Sequence, residues 1–171
     1  MSVVIQLAAY YGLRRSEVLG IRWSAIDFKR GSISINHKVT ESKEPGIHRL
    51  YTEDKLKTKS SFRTLPLIPA VRELLLAHKK KQAYCRSKYK DSYCTDYLGY
   101  VCVDEKGRLF RPTYITDHFK LLLQRHSLRP IRFHDLRHSC ATLLLSQGIP
   151  MKQIQDWLGH STFSTTADIY S

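Results

Sequence analysis

Apolar residues recur at helical spacing along much of the chain and predict a mainly helical protein. Residues 3–11 are apolar almost throughout, which predicts a buried helix that begins after Ser2 as its N-cap and ends at Gly12. A second short helix follows, with Ser16 as its predicted cap. Arg14 then lies in the turn between two helices, a rigid position from which to direct a guanidinium group.

The second half of the chain carries the same helical period. Pro69 suits the first turn of one of these helices, and Thr113 is the predicted cap of another. The helices are predicted at residues 69–81, 113–126, 133–147 and 151–158, and Ser164 can cap a last helix that contains Tyr170.

Short alternating stretches rich in β-branched residues predict strands between these helices. Residues 48–51 and 63–67 flank a lysine-rich segment, which predicts a β-hairpin with Lys55, Lys57 and Lys59 at its tip. The polar, tyrosine-rich residues 84–97 are predicted to form a loop. Further strands are predicted at residues 32–36 and 100–103, with a turn at 104–107.

The predicted fold class is therefore α+β, mainly α-helical, with a small antiparallel β-sheet. A length of 171 residues with 42% hydrophobic residues suits one domain with a core of its own. The longest apolar stretch is too short to span a membrane, and no secretory signal precedes it, so we expect a cytoplasmic protein without membrane attachment. The four cysteines form no CxxC pair, which argues against a zinc site and favours free thiols.

The chain is strongly basic, with a formal net charge of +13. Such an excess indicates a polyanionic partner, most simply DNA. Charge alone does not distinguish DNA from RNA or from an acidic lipid surface.

Several residues near the C-terminal end have the chemistry to bind a phosphodiester. His134 and Arg137 are three apart at the start of a predicted helix, where the helix dipole favours an anion. Each feature is weak alone, since a lone tyrosine such as Tyr170 is usually a packing residue. Two arginines, two histidines, a lysine and a tyrosine together would form a cationic cage that stabilises a five-coordinate phosphorus. Such a cage needs no metal or other cofactor.

Four motifs bring these residues together: GLRRSE at residues 12–17, KTKSSFRTLPL at 57–67, FHDLRHSCAT at 133–142 and LGHSTFSTTADIY at 158–170. With these motifs in this order, the chain resembles the catalytic domain of the tyrosine recombinases, the phage integrase family. The resemblance covers nearly the whole chain, and residues 1–171 are expected to form one catalytic domain.

The resemblance assigns a role to particular residues. The catalytic lysine of the family falls on Lys57. Lys59 is the alternative for this role, because the length of the hairpin varies in the family. Glu17 is expected to orient Arg14 as a supporting residue. The implied catalytic residues are Arg14, Lys57, His134, Arg137, His160 and the nucleophile Tyr170.

The resemblance also implies a mechanism and partners. Tyr170 would attack the scissile phosphate of double-stranded DNA to form a 3′-phosphotyrosyl link, and Lys57 would protonate the leaving 5′-oxygen. The bond energy is kept, so neither ATP nor a metal is required, and a homotetramer assembles on the DNA. The family's N-terminal core-binding domain and C-terminal segment lie outside this sequence, so the chain alone is expected to bind DNA weakly as a monomer.

The leading hypothesis is a recombinase for integration and excision of a phage or another mobile element. A chromosome-dimer resolving recombinase shares the same chemistry, and a type IB topoisomerase shares the logic of the site. A DNA-binding relic without catalysis is the alternative from another class. That relic is disfavoured because all six catalytic positions carry a suitable residue type.

Overall fold

The computed structural model describes residues 1–42, 44, 46, 49–54 and 62–159. Short 3₁₀ helices occur at Trp23–Ala25 and Lys90–Ser92. The α-helices are α1 (Ser2–Tyr11), α2 (Arg15–Leu19), α3 (Pro69–Tyr89), α4 (Pro112–Arg125), α5 (Asp135–Ser146) and α6 (Met151–Leu158). The strands are β1 (Ile26–Asp27), β2 (Ser32–Ile35), β3 (Lys38–Glu41), β4 (Leu50–Glu53) and β5 (Arg63–Pro66).

Helix α1 lies in the core, as its apolar sequence predicts. Val4 and Leu7 are fully buried, and the helix packs against both α3 and α5. Its predicted end at Gly12 is confirmed, and Gly12 is left-handed with φ of 60°. The predicted cap is wrong: Ser2 belongs to the first turn, and the carbonyl of Met1 accepts the first helical hydrogen bonds.

The strands form two small antiparallel sheets, one in the order β1–β2–β5 and the other pairing β3 with β4. The predicted hairpin between residues 48–51 and 63–67 is therefore corrected, because β4 and β5 belong to different sheets. Strand β3 was not predicted, since only Val39 of its residues is buried and the apolar alternation is lost. The predicted tip with Lys55, Lys57 and Lys59 lies outside the described residues.

Gly20 lies where α2 meets β3. A Cβ atom at this position would be 2.4 Å from the carbonyl oxygen of His37 and 2.6 Å from the Cα atom of Lys38. Backbone atoms cannot rotate away, so we expect Gly20→Ala to lower the free energy of unfolding by about 1–3 kcal/mol, measured by urea denaturation. Gly99→Ala is the control, because nothing lies within 4 Å of its Cβ position. Equal effects of the two substitutions would contradict this prediction.

Helix α3 extends to Tyr89, so the predicted loop at residues 84–97 is wrong for its first part. Cys85 is buried, and the Gln82 amide donates to the carbonyl of Val101 at 2.7 Å, which ties the polar end of the helix to the core. Neither α3 nor any other helix in the described part of the chain has both the length and the apolar composition needed to cross a bilayer.

The segment after α3 contains isolated bridges instead of the predicted strand at residues 100–103. Tyr100 pairs with Arg22, and Val103 pairs with Leu109. The turn at residues 104–107 is confirmed, because the amide of Gly107 donates to the carbonyl of Asp104 at 3.1 Å.

The predicted caps of α2 and α4 are wrong. Arg14 holds the N-cap position of α2 in place of Ser16, because the carboxylate of Glu17 accepts from the Arg14 backbone amide at 3.0 Å. Pro112 begins α4 one residue before Thr113, since proline suits the first helical position. The helix ending at Gly159 is confirmed, and the helix predicted after Ser164 lies outside the described residues.

His78 connects α3 to the segment that follows it. Its Nε2 donates to the Val101 carbonyl at 2.8 Å, and burial lowers the pKa of His78. The folded protein therefore favours the neutral imidazole, whereas the unfolded chain binds a proton as the pH falls through about 6.5. The contribution of His78 to the free energy of unfolding is therefore fully present above this pH and decreases below it.

We expect the free energy of unfolding to decrease as the pH is lowered from about 7 to about 5. His78→Gln should reduce this pH dependence, because the glutamine amide can donate to Val101 without titrating. Urea denaturation at a series of pH values measures the difference. A variant with the same pH dependence as the parent chain would show that His78 does not contribute.

Candidate active site

The turn between α1 and α2 is held tightly against the end of α6. A Cβ atom on Gly12 would lie 2.4 Å from Cδ2 of Leu158 and 3.3 Å from Cβ of Cys140. Only glycine fits this contact together with a φ of 60°. The turn therefore places Arg14, two residues later, beside Gly159 at the C-terminal end of α6.

Arg14 is held from two directions. Its Nη1 donates to Oε1 of Glu17 at 2.7 Å, and its Nη2 donates to the carbonyl oxygen of Gly159 at 3.3 Å. The side chain is 38% exposed, so the guanidinium group is oriented by the protein and still reaches solvent. Glu17, the residue expected to orient Arg14, is its carboxylate partner in this structure.

Arg63, at the start of β5, belongs to the same cluster and was not singled out from the sequence. Its Nη2 donates to Oε2 of Glu17 at 3.0 Å, and its Nε donates to the carbonyl of Trp157 at 2.8 Å. Only 6% of its side chain is exposed. The alternation of β5 carries the signal, because Arg63 shares a face with the buried Leu65 while Thr64 is exposed.

Arg137 is buried at the first turn of α5. Its Nη1 donates to the carbonyl of Gly12 at 2.6 Å, and its Nη2 donates to the carbonyl of Leu158 at 2.8 Å. Burial, followed by the positive charge of Arg14, lowers the pKa of Arg137 to about 9. The guanidinium therefore keeps its charge at neutral pH.

Glu17 balances part of this positive charge. Burial alone would raise its pKa, but Arg63 and Arg14 more than offset that effect and lower it. Glu17 is therefore an anion at neutral pH, with both carboxylate oxygens occupied by guanidinium donors.

His134 lies at the N-cap position of α5, one turn before Arg137. Its ring stacks edge-to-face on His138 with a centroid distance of 5.2 Å. Burial, and then His138 and Arg137, lower the pKa of His134. Most of the imidazole is therefore neutral at neutral pH, which suits a group that accepts or passes on a proton.

The structure brings together Arg14, Glu17 and Arg137 from the predicted set, and it adds Arg63. Arg14 donates to the carbonyl of Gly159 and Arg137 donates to the carbonyl of Leu158. His160 is the next residue in the chain. The remaining predicted positions, Lys57 with its alternative Lys59, His160 and Tyr170, lie outside the described residues.

The arrangement suits an anion rather than a cation. Arg14 and Arg63 donate to the one carboxylate of Glu17, and the third guanidinium group, that of Arg137, is close enough for the charges of Arg14, Arg63 and Glu17 to affect its pKa. The partly exposed Arg14 opens this cluster to solvent. Arginine binds phosphate oxygens through its planar fork. Across residues 1–42, 49–54 and 62–159, no group of three or more His, Cys, Asp or Glu side chains is placed to hold a metal ion.

The sequence matches known proteins along its whole length. Residues 1–171 match the model of the phage integrase family. A tyrosine recombinase XerC-like protein of Caldanaerobacter subterraneus subsp. tengcongensis is 32% identical over 176 residues, covering 100% of this chain and 45% of that protein. The ICEBs1 integrase of Bacillus subtilis is 28% identical over 161 residues, covering 93% of this chain and 41% of that protein. This chain therefore spans less than half the length of these relatives.

The fold also matches solved structures. The Tn1549 transposon integrase in complex with circular intermediate DNA superposes with a TM-score of 0.80 and 22% identity, covering 99% of this chain and 54% of that one. The fold is that of tyrosine recombinase and integrase catalytic domains, which confirms the predicted α+β, mainly helical class.

Proposed function

Because the chain belongs to the phage integrase family of tyrosine recombinases, we propose that it is the catalytic part of a site-specific DNA recombinase. It cuts and rejoins double-stranded DNA through a 3′-phosphotyrosyl intermediate. The observation that carries this proposal is the cluster in which Arg14 and Arg63 share the carboxylate of Glu17 and Arg137 lies nearby on the carbonyl of Gly12, which leaves an excess of positive charge suited to an anion.

The proposed reaction begins with attack of the Tyr170 hydroxyl oxygen on the scissile phosphorus. The bond from phosphorus to the 5′-oxygen breaks, and Lys57 gives its proton to that leaving oxygen. His134 assists the transfer of the tyrosine proton, and His160 donates to the phosphate. The 5′-hydroxyl of a partner strand then attacks the phosphotyrosine and releases Tyr170. One phosphodiester is exchanged for another, so no ATP is consumed.

The cluster explains how the transition state is stabilised. Negative charge builds on the non-bridging oxygens of a five-coordinate phosphorus, and preorganised cations stabilise it without reorganising. Arg14 and Arg137 are preorganised in this sense, because Glu17 and the carbonyls of Gly12 and Leu158 fix their planes. Metal-free catalysis is part of the proposal, since these cations supply the positive charge.

The biological role we propose is integration and excision of a mobile element. Similarity to the ICEBs1 integrase supports this role, and the protein would act as a homotetramer on DNA in a bacterial cytoplasm. Chromosome-dimer resolution is the second candidate, supported by the 32% identity to a XerC-like recombinase.

Covalent trapping tests the proposed chemistry. The protein is mixed with a pool of nicked duplexes of random sequence around the nick, with EDTA and without ATP, and analysed on a denaturing gel beside Tyr170→Phe. We expect a protein–DNA adduct that is lost in the variant. DNA binding that is unchanged by Tyr170→Phe and gives no adduct would support the DNA-binding relic instead.

The trapped sequences discriminate the two roles. Enrichment of sequences that match the two ends of a mobile element would support integration and excision. Enrichment of one chromosomal site would support dimer resolution.

A further inference from the structure

A second cationic site adjoins the cluster on the side of α4. A cleft of about 360 Å³ is lined by residues from α2, α4 and the segment before α5: Arg15, Thr116, Arg132, Phe133 and His134. It shares His134 with the proposed active site. Arg15 directly follows Arg14 in the chain, so the two sites lie side by side.

Arg15 is the unneutralised charge of this cleft. Its guanidinium contacts the hydroxyl of Thr116, and that hydroxyl donates in turn to the carbonyl of Pro112 at 3.4 Å. In the described part of the chain, Arg15 forms no ion pair with a carboxylate. Thr116 therefore orients the arginine without cancelling its charge.

Arg132 differs from Arg15 in this respect. Its Nη2 and Nε donate to Oδ1 of Asp135 at 2.9 and 3.1 Å, so a carboxylate already occupies its fork. Phe133 is buried and forms an apolar wall. The cleft thus offers one oriented cation, Arg15, on a wall that also includes the ring of His134.

We propose that this cleft binds a neighbouring backbone phosphate of the DNA strand that is cut, with Arg15 as the residue that holds it. The inference rests on the proposed function, because the strand must enter the active site. The cleft adjoins the arginine cluster, because His134 lines it and is also close enough to Arg137 and Arg14 for their charges to lower its pKa. Consecutive phosphates are neighbours along a strand, so a strand with one phosphate at Arg14 and Arg137 would place an adjacent phosphate at this cleft, where Arg15 can hold it.

This contact fixes the register of the strand rather than the chemistry. A phosphate held beside the scissile one limits how far the DNA can slide or rotate in the site. Loss of Arg15 should therefore weaken DNA binding and adduct formation together, whereas loss of Arg137 should reduce adduct formation much more than binding.

The first test is the salt dependence of equilibrium binding to a short random-sequence duplex. Arg15→Gln is expected to reduce the slope of log K against log salt by about 0.9, which is the loss of one phosphate contact, and Arg15→Lys should keep the slope. Arg86→Gln is the matched control, since it removes an exposed charge from the last turn of α3, which does not line this cleft. Equal slopes for Arg15→Gln and Arg86→Gln would overturn the proposal.

The second test identifies the phosphate. Single methylphosphonates are placed at each position around the cut, and the adduct rate is compared between the parent chain and Arg15→Gln. When the methylphosphonate replaces one particular phosphate next to the scissile one, Arg15→Gln should no longer lower the adduct rate relative to the parent chain. On the same substrate, Thr116→Val should lower the adduct rate less than it does on unmodified DNA. A penalty that persists at every position would contradict this site while leaving the adduct, and so the proposed function, intact. If the parent chain forms no adduct, the proposed function fails and the salt slope alone decides this proposal.

Discussion

Replacing Arg137 with lysine is expected to lower the rate of strand cleavage by about 100-fold or more. A lysine has a single ammonium group and no planar fork. It therefore cannot donate at the same time to the carbonyls of Gly12 and Leu158 and to a phosphate oxygen. Any carbonyl left without a donor also costs about 1–3 kcal/mol of stability. Single-turnover adduct formation measures the catalytic loss, and urea denaturation separates it from unfolding.

The binding of DNA should change far less than the rate, because most contacts to a duplex are spread over its phosphates. Arg125→Lys is the matched control, an exposed arginine at the end of α4. A variant of Arg137 that remains folded and cleaves within a few-fold of the parent rate would show that this arginine does not stabilise the transition state.

Replacing Glu17 with glutamine is expected to lower the free energy of unfolding by about 3–5 kcal/mol, because it removes one partner of a buried ion pair. Glu17 and Arg63 are 3% and 6% exposed, with 3.0 Å between their charged atoms. Without the carboxylate, the charge of Arg63 stays buried close to Arg14 and Arg137. The loss is measured by urea denaturation, and the orientation of Arg14 should also relax.

A double-mutant cycle isolates this effect. Glu17→Gln combined with Arg63→Met should destabilise the protein by clearly less than the sum of the two single substitutions, because no unpaired charge is left behind. Glu73→Gln is the control, since that exposed carboxylate lies 3.7 Å from Arg72 and should contribute less than about 1 kcal/mol. Additive effects of Glu17 and Arg63 would contradict a direct buried pair.

The parts of the site with local signals could be predicted from the sequence. Gly12 ends the apolar helix α1 and Gly159 ends the amphipathic helix α6, and both glycines adopt the left-handed conformation. The end of α1 at Gly12 places Arg14 in a turn between two helices, as predicted. The i,i+3 spacing of His134 and Arg137 likewise places both at the start of α5.

The rest of the site depends on contacts between distant parts of the chain. Arg63 is 46 positions from Glu17 and 94 from Trp157, and no periodicity indicates that a buried arginine will meet a buried glutamate. The burial of Arg137 is similar, because its acceptors are carbonyl oxygens of Gly12 and Leu158, which every residue type carries. Such pairings are decided by packing.

The predicted helices and strands were wrong where a regular helix or strand carries mostly polar side chains. Helix α3 continues to Tyr89 through a polar sequence because Cys85 and Gln82 anchor it. Strand β3 has one buried residue, Val39, and therefore shows no apolar alternation. It pairs with β4, which was predicted to pair with residues 63–67 instead. Strand pairing depends on which edges are free in three dimensions, and the local pattern does not contain that information.

Identifying the residue that becomes joined to DNA is the decisive experiment for the proposed chemistry. The trapped adduct is digested with protease and nuclease, and the linked peptide is sequenced by mass spectrometry. We expect a nucleotide 3′-phosphate esterified to the hydroxyl of Tyr170, formed in EDTA and reduced by substitution of Arg14 or Arg137. An adduct through another residue, a link to a 5′-phosphate, or cleavage that requires a divalent metal would contradict it.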